Sequence, residues 1–151
     1  MVNPSSTSNS KNGEVTNNHS ILSIIQTAEK SPTIDGITYK AEAYLNRDFM
    51  PIVDPPVLLT ASVDVQTTSQ DPIPESLNVT QLYIVKGQQV WLPNEIEEHP
   101  SSEPWSKHVV ARNGPQWQEG TQATVGVKLE DTIRDKVYYL KISDVSVTYS
   151  Y

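Results

Sequence analysis

Residues 57–66 read Val-Leu-Leu-Thr-Ala-Ser-Val-Asp-Val-Gln. Val57, Leu59, Ala61, Val63 and Val65 are apolar, and Thr60, Ser62, Asp64 and Gln66 lie between them. Successive side chains of a strand point to opposite faces, so this period of two predicts a strand with one buried and one wet side. The pattern recurs at Ile37, Tyr39, Ala41, Ala43 and Leu45, with Thr38, Lys40, Glu42 and Asn46 between. It recurs again at Ala123, Val125, Val127 and Leu129. Such alternation belongs to antiparallel sheets with one solvated side; parallel sheets give continuous apolar runs and need intervening helices.

Working outward, Gln81-Leu82-Tyr83-Ile84-Val85 is a denser apolar run. Lys86-Gly87-Gln88 offers a tight turn into Gln89-Val90-Trp91-Leu92, which predicts a hairpin. The acidic, proline-bearing stretch 94–105 reads as a long loop. A short strand is expected over 107–112, closed by Asn113-Gly114-Pro115. In the last segment the apolar phase changes. Tyr138, Leu140 and Ile142 are even-numbered, whereas Val145, Val147, Tyr149 and Tyr151 are odd. A strand changes its buried face only through a bulge or bend, so a bulge is expected at Ser143-Asp144, where one strand passes between sheets.

The N-terminal side is less regular. Residues 1–19 are Ser/Asn-rich with few large apolar residues, and such a segment buries too little to offset its ordering entropy. A disordered tail is expected there, followed by a single domain over 20–151. The Ile-rich stretch after Ser20, with the Asp35-Gly36 turn beyond it, is read as a strand leading into a hairpin; a short serine-capped helix is the alternative. Altogether about seven or eight short strands are expected, in an all-β, immunoglobulin-like antiparallel sandwich, with a small barrel second.

Composition bounds the function. The chain has 151 residues, enough for one domain with a real core. It has no cysteine, which excludes disulfides, zinc-thiolate sites and thiol nucleophiles. The net charge of -7 repels phosphate backbones, so nucleic acid is not an expected partner. No stretch approaches the roughly 20 apolar residues of a membrane span, and no signal-peptide core is visible. The expected location is therefore cytoplasmic, or exported by a route without a classical signal peptide.

The segments ITYKAEAYLNRDFMP, ARNGPQW and KVYYLKISDVSVTYSY, in that order, resemble a group of small uncharacterised bacterial β-sandwich proteins. In those, an Arg-Asp-Phe-Met-Pro segment follows an early strand and a Gly-Pro-x-Trp turn precedes the final hairpin. The resemblance covers about residues 21–151 and implies a fold, with no activity attached.

Few residues suggest chemistry. His99 and His108 match no metal-ligand spacing. Glu95, Glu97, Glu98 and His99 read as a solvated acidic loop in preference to a cation site. No serine sits in a nucleophile elbow. No cofactor is expected. Arg47-Asp48-Phe49-Met50 is the most distinctive string. As a binding patch, Arg47 and Asp48 would be polar contacts and Phe49 and Met50 apolar ones. In the structural reading, which is favoured, Phe49 and Met50 plug one end of the sandwich while Arg47 pairs with a carboxylate. Trp91, Trp105 and Trp117, if exposed and coplanar, would form a sugar-stacking platform; Trp105 and Trp117 are kept as binding candidates.

The expected function is a non-enzymatic binding module acting through loops at one end of the sandwich, with another protein as partner and carbohydrate as the second class. The alternatives are an assembly subunit pairing through edge strands, and a hydrolase with an unrecognised site.

Overall fold

The computed structural model describes residues 8–10, 13–49 and 57–151. The described residues are mostly β, with one short helix. Its strands are β1 (Ser8–Ser10), β2 (Gly13–Thr16), β3 (Thr33–Ile34), β4 (Ile37–Asp48), β5 (Leu59–Thr67), β6 (Leu77–Lys86), β7 (Gln89–Leu92), β8 (Glu97–His99), β9 (Ser106–Gly114), β10 (Gln122–Asp131) and β11 (Lys136–Ser150). The helix α1 spans His19–Thr27.

The three alternating segments form β4, β5 and β10, as their period predicts. In β5 the burial alternates along the whole strand, with Leu59, Ala61, Val63 and Val65 inside. The hairpin of β6 and β7 closes through Gly87 and Gln88, with Lys86 opposite Gln89.

The architecture differs from the expected immunoglobulin-like sandwich of seven or eight strands in count and in continuity. Among the described residues, eleven strands form one hydrogen-bonded sheet in the order β1-β2-β7-β6-β10-β11-β4-β5-β9-β8, with β3 attached to β4. The physical reason lies in β11. Its first part pairs with β10 in antiparallel fashion, and its last part, Val147–Ser150, pairs with Leu45–Asp48 of β4 in parallel. One long strand therefore belongs to both halves, and the sheet curls until its two halves share a core. Leu45, Leu59, Val63 and Val109 of one half meet Leu82, Ile84, Trp91, Val127 and Leu140 of the other in one cluster.

The handover occurs at a bulge. Two steps along β10, from Ala123 to Val125, oppose three along β11, from Val145 to Ile142. Asp144 takes the extra position with φ 57°. Leu140 is buried before the bulge, Val145 and Val147 after it. This is the change of phase expected at Ser143-Asp144.

The segment after Ser20 is a correction: it is helical. Asn18 caps α1, its Oδ1 accepting from the backbone N–H groups of Ser20 (2.9 Å) and Ile21 (3.2 Å). Leu22 and Ile25, three apart, form the buried stripe. β-branched isoleucines weigh toward a strand, but here the cap and a tertiary seat decide. The seat is Gly126 of β10, where a Cβ would run into Cδ1 of Ile25.

Of the expected tail 1–19, residues 1–7 and 11–12 lie outside the described residues. Residues 13–16 are strand β2, with Glu14, Val15 and Thr16 opposite Leu92, Trp91 and Val90 of β7. The boundary expected at 19/20 lies at the start of α1. The expected loop 94–105 is also broken by a strand: β8 pairs with β9, placing His99 opposite His108.

Candidate functional site

The ends of β4 and β11 lie side by side, with Arg47 opposite Tyr149. The Phe49 N–H continues the ladder by donating to the Ser150 carbonyl at 2.8 Å. Odd-numbered residues of both strands follow the inward stripe, so Arg47 succeeds Leu45 and Tyr149 succeeds Val147. A charged side chain thus ends a hydrophobic row.

Arg47 is 9 % exposed. Burying a guanidinium is costly unless its N–H groups are satisfied. Its Nε donates to the Val57 carbonyl at 2.9 Å, and one terminal nitrogen donates to the Trp117 carbonyl at 3.1 Å and to the Tyr149 hydroxyl at 2.9 Å. The flat cation lies 5.4 Å from the Phe49 ring centroid and 5.2 Å from that of Tyr149. The structural reading expected a carboxylate partner for Arg47. Among the described residues its bonds go to two carbonyls and a phenol.

Aromatic rings cover this arginine. Phe49 and Tyr149 lie 5.0 Å apart, and Tyr151 stacks on Phe49 at 5.8 Å with 16° between the planes. Tyr151 is 72 % exposed, Phe49 and Tyr149 half-buried. The same end carries Trp117, buried, with Lys86 Nζ 5.3 Å from its ring. The result is an apolar surface of stacked rings over a positive charge held in place.

The sequence candidates therefore separate. Arg47, Phe49 and Trp117 come together at one end. Asp48 is exposed beside them on the outward side of β4. Met50 lies outside the described residues, as does most of the proline-bearing loop after it. Trp105 belongs to the opposite end, where its carbonyl accepts from the Thr67 N–H at 3.1 Å. The indole platform is not built, because Trp91 is 1 % and Trp117 7 % exposed. Tyr149 and Tyr151 were legible only as part of a strand end; their odd phase, shared with Phe49, is the signal that places them in the cluster.

A second polar group lies on the outer face of β5, β9 and β8. His108 Nδ1 is 2.9 Å from Asp64 Oδ1, and the two histidine rings are 5.9 Å apart, edge to face. Glu97 touches His99 Nε2 at 3.2 Å and accepts from Arg112 Nε at 3.0 Å. These contacts, the one with His99 first, hold the Glu97 carboxyl below its ordinary range. Among the described residues no group of three or more His, Cys, Asp or Glu is arranged to hold a metal ion. No described helix is long and apolar enough to cross a membrane.

Comparison with protein families, with curated proteins and with solved structures finds no match to this chain.

Proposed function

We propose that this chain is a non-enzymatic binding module that contacts another protein through the aromatic end formed by Phe49, Tyr149 and Tyr151. The carrying observation is the exposed Tyr151 ring stacked on Phe49 above the buried Arg47. Aromatic side chains supply large contact area at low entropy cost and dominate binding hot spots. An arginine whose bonds are already made loses no rotamer freedom on binding, which lowers the cost of association. The exposed Tyr151 brings a phenol able to hydrogen-bond a partner, while the Tyr149 hydroxyl is held by Arg47.

The test is a screen of displayed peptides and glycans against the wild-type chain and against a Tyr149→Ala/Tyr151→Ala variant. Protein-type ligands should be retained by the wild type and lost by about tenfold or more in the variant, the equivalent of about 1.4 kcal/mol. Ligands that bind both equally, or no ligand at all, would reject the reading. Selection of glycans alone would make the partner a carbohydrate instead.

A further inference from the structure

The two strands that meet at Arg47 and Tyr149 separate upstream. From Leu45 and Val147 onward they are paired. Before that point β11 turns at its bulge toward β10, while β4 stays with β5. A cavity of about 430 Å³ opens between them, lined by Ala41–Tyr44 on one side and Ile142–Ser146 on the other.

Each wall of this cleft is a strand with one edge engaged. Ala41 to Tyr44 are paired with Val65 to Ser62 of β5. Ile142, Val145 and Ser146 are opposite Val125, Ala123 and Gln122 of β10. Among the described residues no strand pairs with the facing edges over these positions. Alternate residues of a strand turn N–H and C=O toward each edge, so both walls present backbone groups to the cleft. Such edges are templates for an added strand.

The molecule already uses the same edges this way one step further from the junction. There the segment after α1 runs between the two strands. The Glu29 carbonyl accepts from the Lys141 N–H at 3.1 Å, in a parallel bridge between Glu29 and Leu140. The Pro32 carbonyl accepts from the Tyr39 N–H at 2.9 Å. Extended backbone thus bonds to β11 and to β4 at the mouth of the cleft.

We propose that the cleft between Ala41–Tyr44 and Ile142–Ser146 binds an extended peptide strand that carries a basic side chain. The backbone edges give the affinity, and the lining gives the preference. Its charged residues are Glu42 and Asp144, both exposed, and the chain as a whole carries -7. Ala41 and Ala43 are small, which leaves room for an incoming side chain. Tyr44 is 51 % exposed and offers a ring to the aliphatic stem of a lysine or arginine. Lys141 borders this region but its Nζ donates to the Gln26 carbonyl at 2.6 Å.

The experiment uses the full chain and a capped peptide of about six residues, the length of an ordinary strand, alternating valine and lysine. Binding is followed by calorimetry and by hydrogen exchange. The peptide should bind and should slow exchange of amides within 41–44 and 142–146. Replacing its lysines by glutamate, or methylating alternate backbone nitrogens, should each weaken binding at least about tenfold. Glu42→Gln/Asp144→Asn should abolish the preference for lysine over glutamate, and asparagine keeps the positive φ at the bulge position 144. No binding, equal binding of the methylated peptide, or protection elsewhere would overturn the proposal. Protection of the same amides on concentrating the chain alone would assign the cleft to a second copy and also overturn it. The Tyr149→Ala/Tyr151→Ala variant should bind the peptide like the wild type, so failure here and failure of the aromatic surface are separate results.

Discussion

A Cβ placed on Gly114 would lie 2.6 Å from both Cη2 and Cζ3 of the Trp91 ring. Gly114 ends β9 in one half of the sheet, and Trp91 lies on β7 in the other. The indole therefore crosses the core and rests on backbone, and this contact closes the curl. Gly114→Ala should lower stability by about 1–3 kcal/mol through overpacking. Urea unfolding followed by tryptophan emission checks it, and an unchanged midpoint would show that the ring has room to move.

Arg47 ties three elements together at the aromatic end. Arg47→Met fills much of the volume but leaves the Val57 and Trp117 carbonyls and the Tyr149 hydroxyl without their donor. A loss of about 2–4 kcal/mol is expected, given that hydrogen bonds to a charged group contribute about 1.5–3 kcal/mol each and are not additive. Tyr149→Phe should cost less, about 1 kcal/mol. A calorimetric melt of the two variants gives the order; equal melting temperatures for Arg47→Met and wild type would contradict the bonding described.

Glu97 ties the edge strand β8 to β9 through Arg112 and touches His99 within β8 itself. Its folded pKa lies below the ordinary 4.5. The unfolded carboxyl takes up a proton first as pH falls, so the contribution is whole above 4.5 and disappears as pH drops through the folded value. Amides of Glu97–His99 should lose exchange protection in that acid range, before the core strands do. Arg112→Ala should raise the Glu97 titration midpoint in a carboxyl-detected NMR titration; no movement would exclude the pair as the cause.

Tyr83 and Tyr139 face each other on the outer side of β6 and β11, ring centroids 6.3 Å apart. Burial first, and the neighbouring Tyr139 next, push the Tyr83 phenol up from 10.0 to about 12. Between these values the unfolded chain has released this proton and the folded one has not, so stability should fall as pH rises through the interval. Burial raises the Tyr39 phenol as well, so an absorbance titration at alkaline pH should show more than one late phenol, and Tyr83→Phe should remove the one near 12. Persistence of the transition near 12 in that variant would move the assignment to another tyrosine.

Strand content, the two-residue hairpin and the bulge were legible because each is a local statement. Period two in residues 57–66 needs only neighbours in sequence, and so does the phase change at Ser143-Asp144. The helix at 19–27 was missed because Ile24 and Ile25 favour a strand locally. What overrides them is the space above Gly126, which is distant in the chain. The strand count was underestimated for the same reason: Gly13–Thr16 and Glu97–His99 have little apolar signal and become strands by pairing with β7 and β9.

For the candidate sites the division is similar. Arg47 and Phe49 stood out as an unusual string, and Trp117 as a residue after a turn. Their union with Tyr149 depends on parallel pairing between β4 and β11, strands about a hundred residues apart in a chain of 151. The cleft above that junction has no signature in sequence, since Ala41–Tyr44 and Ile142–Ser146 read as ordinary strand interior. By itself the sequence determined which faces are buried and where the last strand must kink, because side-chain alternation follows from backbone geometry. Only the tertiary structure decided which edges meet and which stay open, because edge pairing is a long-range choice made by backbone groups that every residue carries alike.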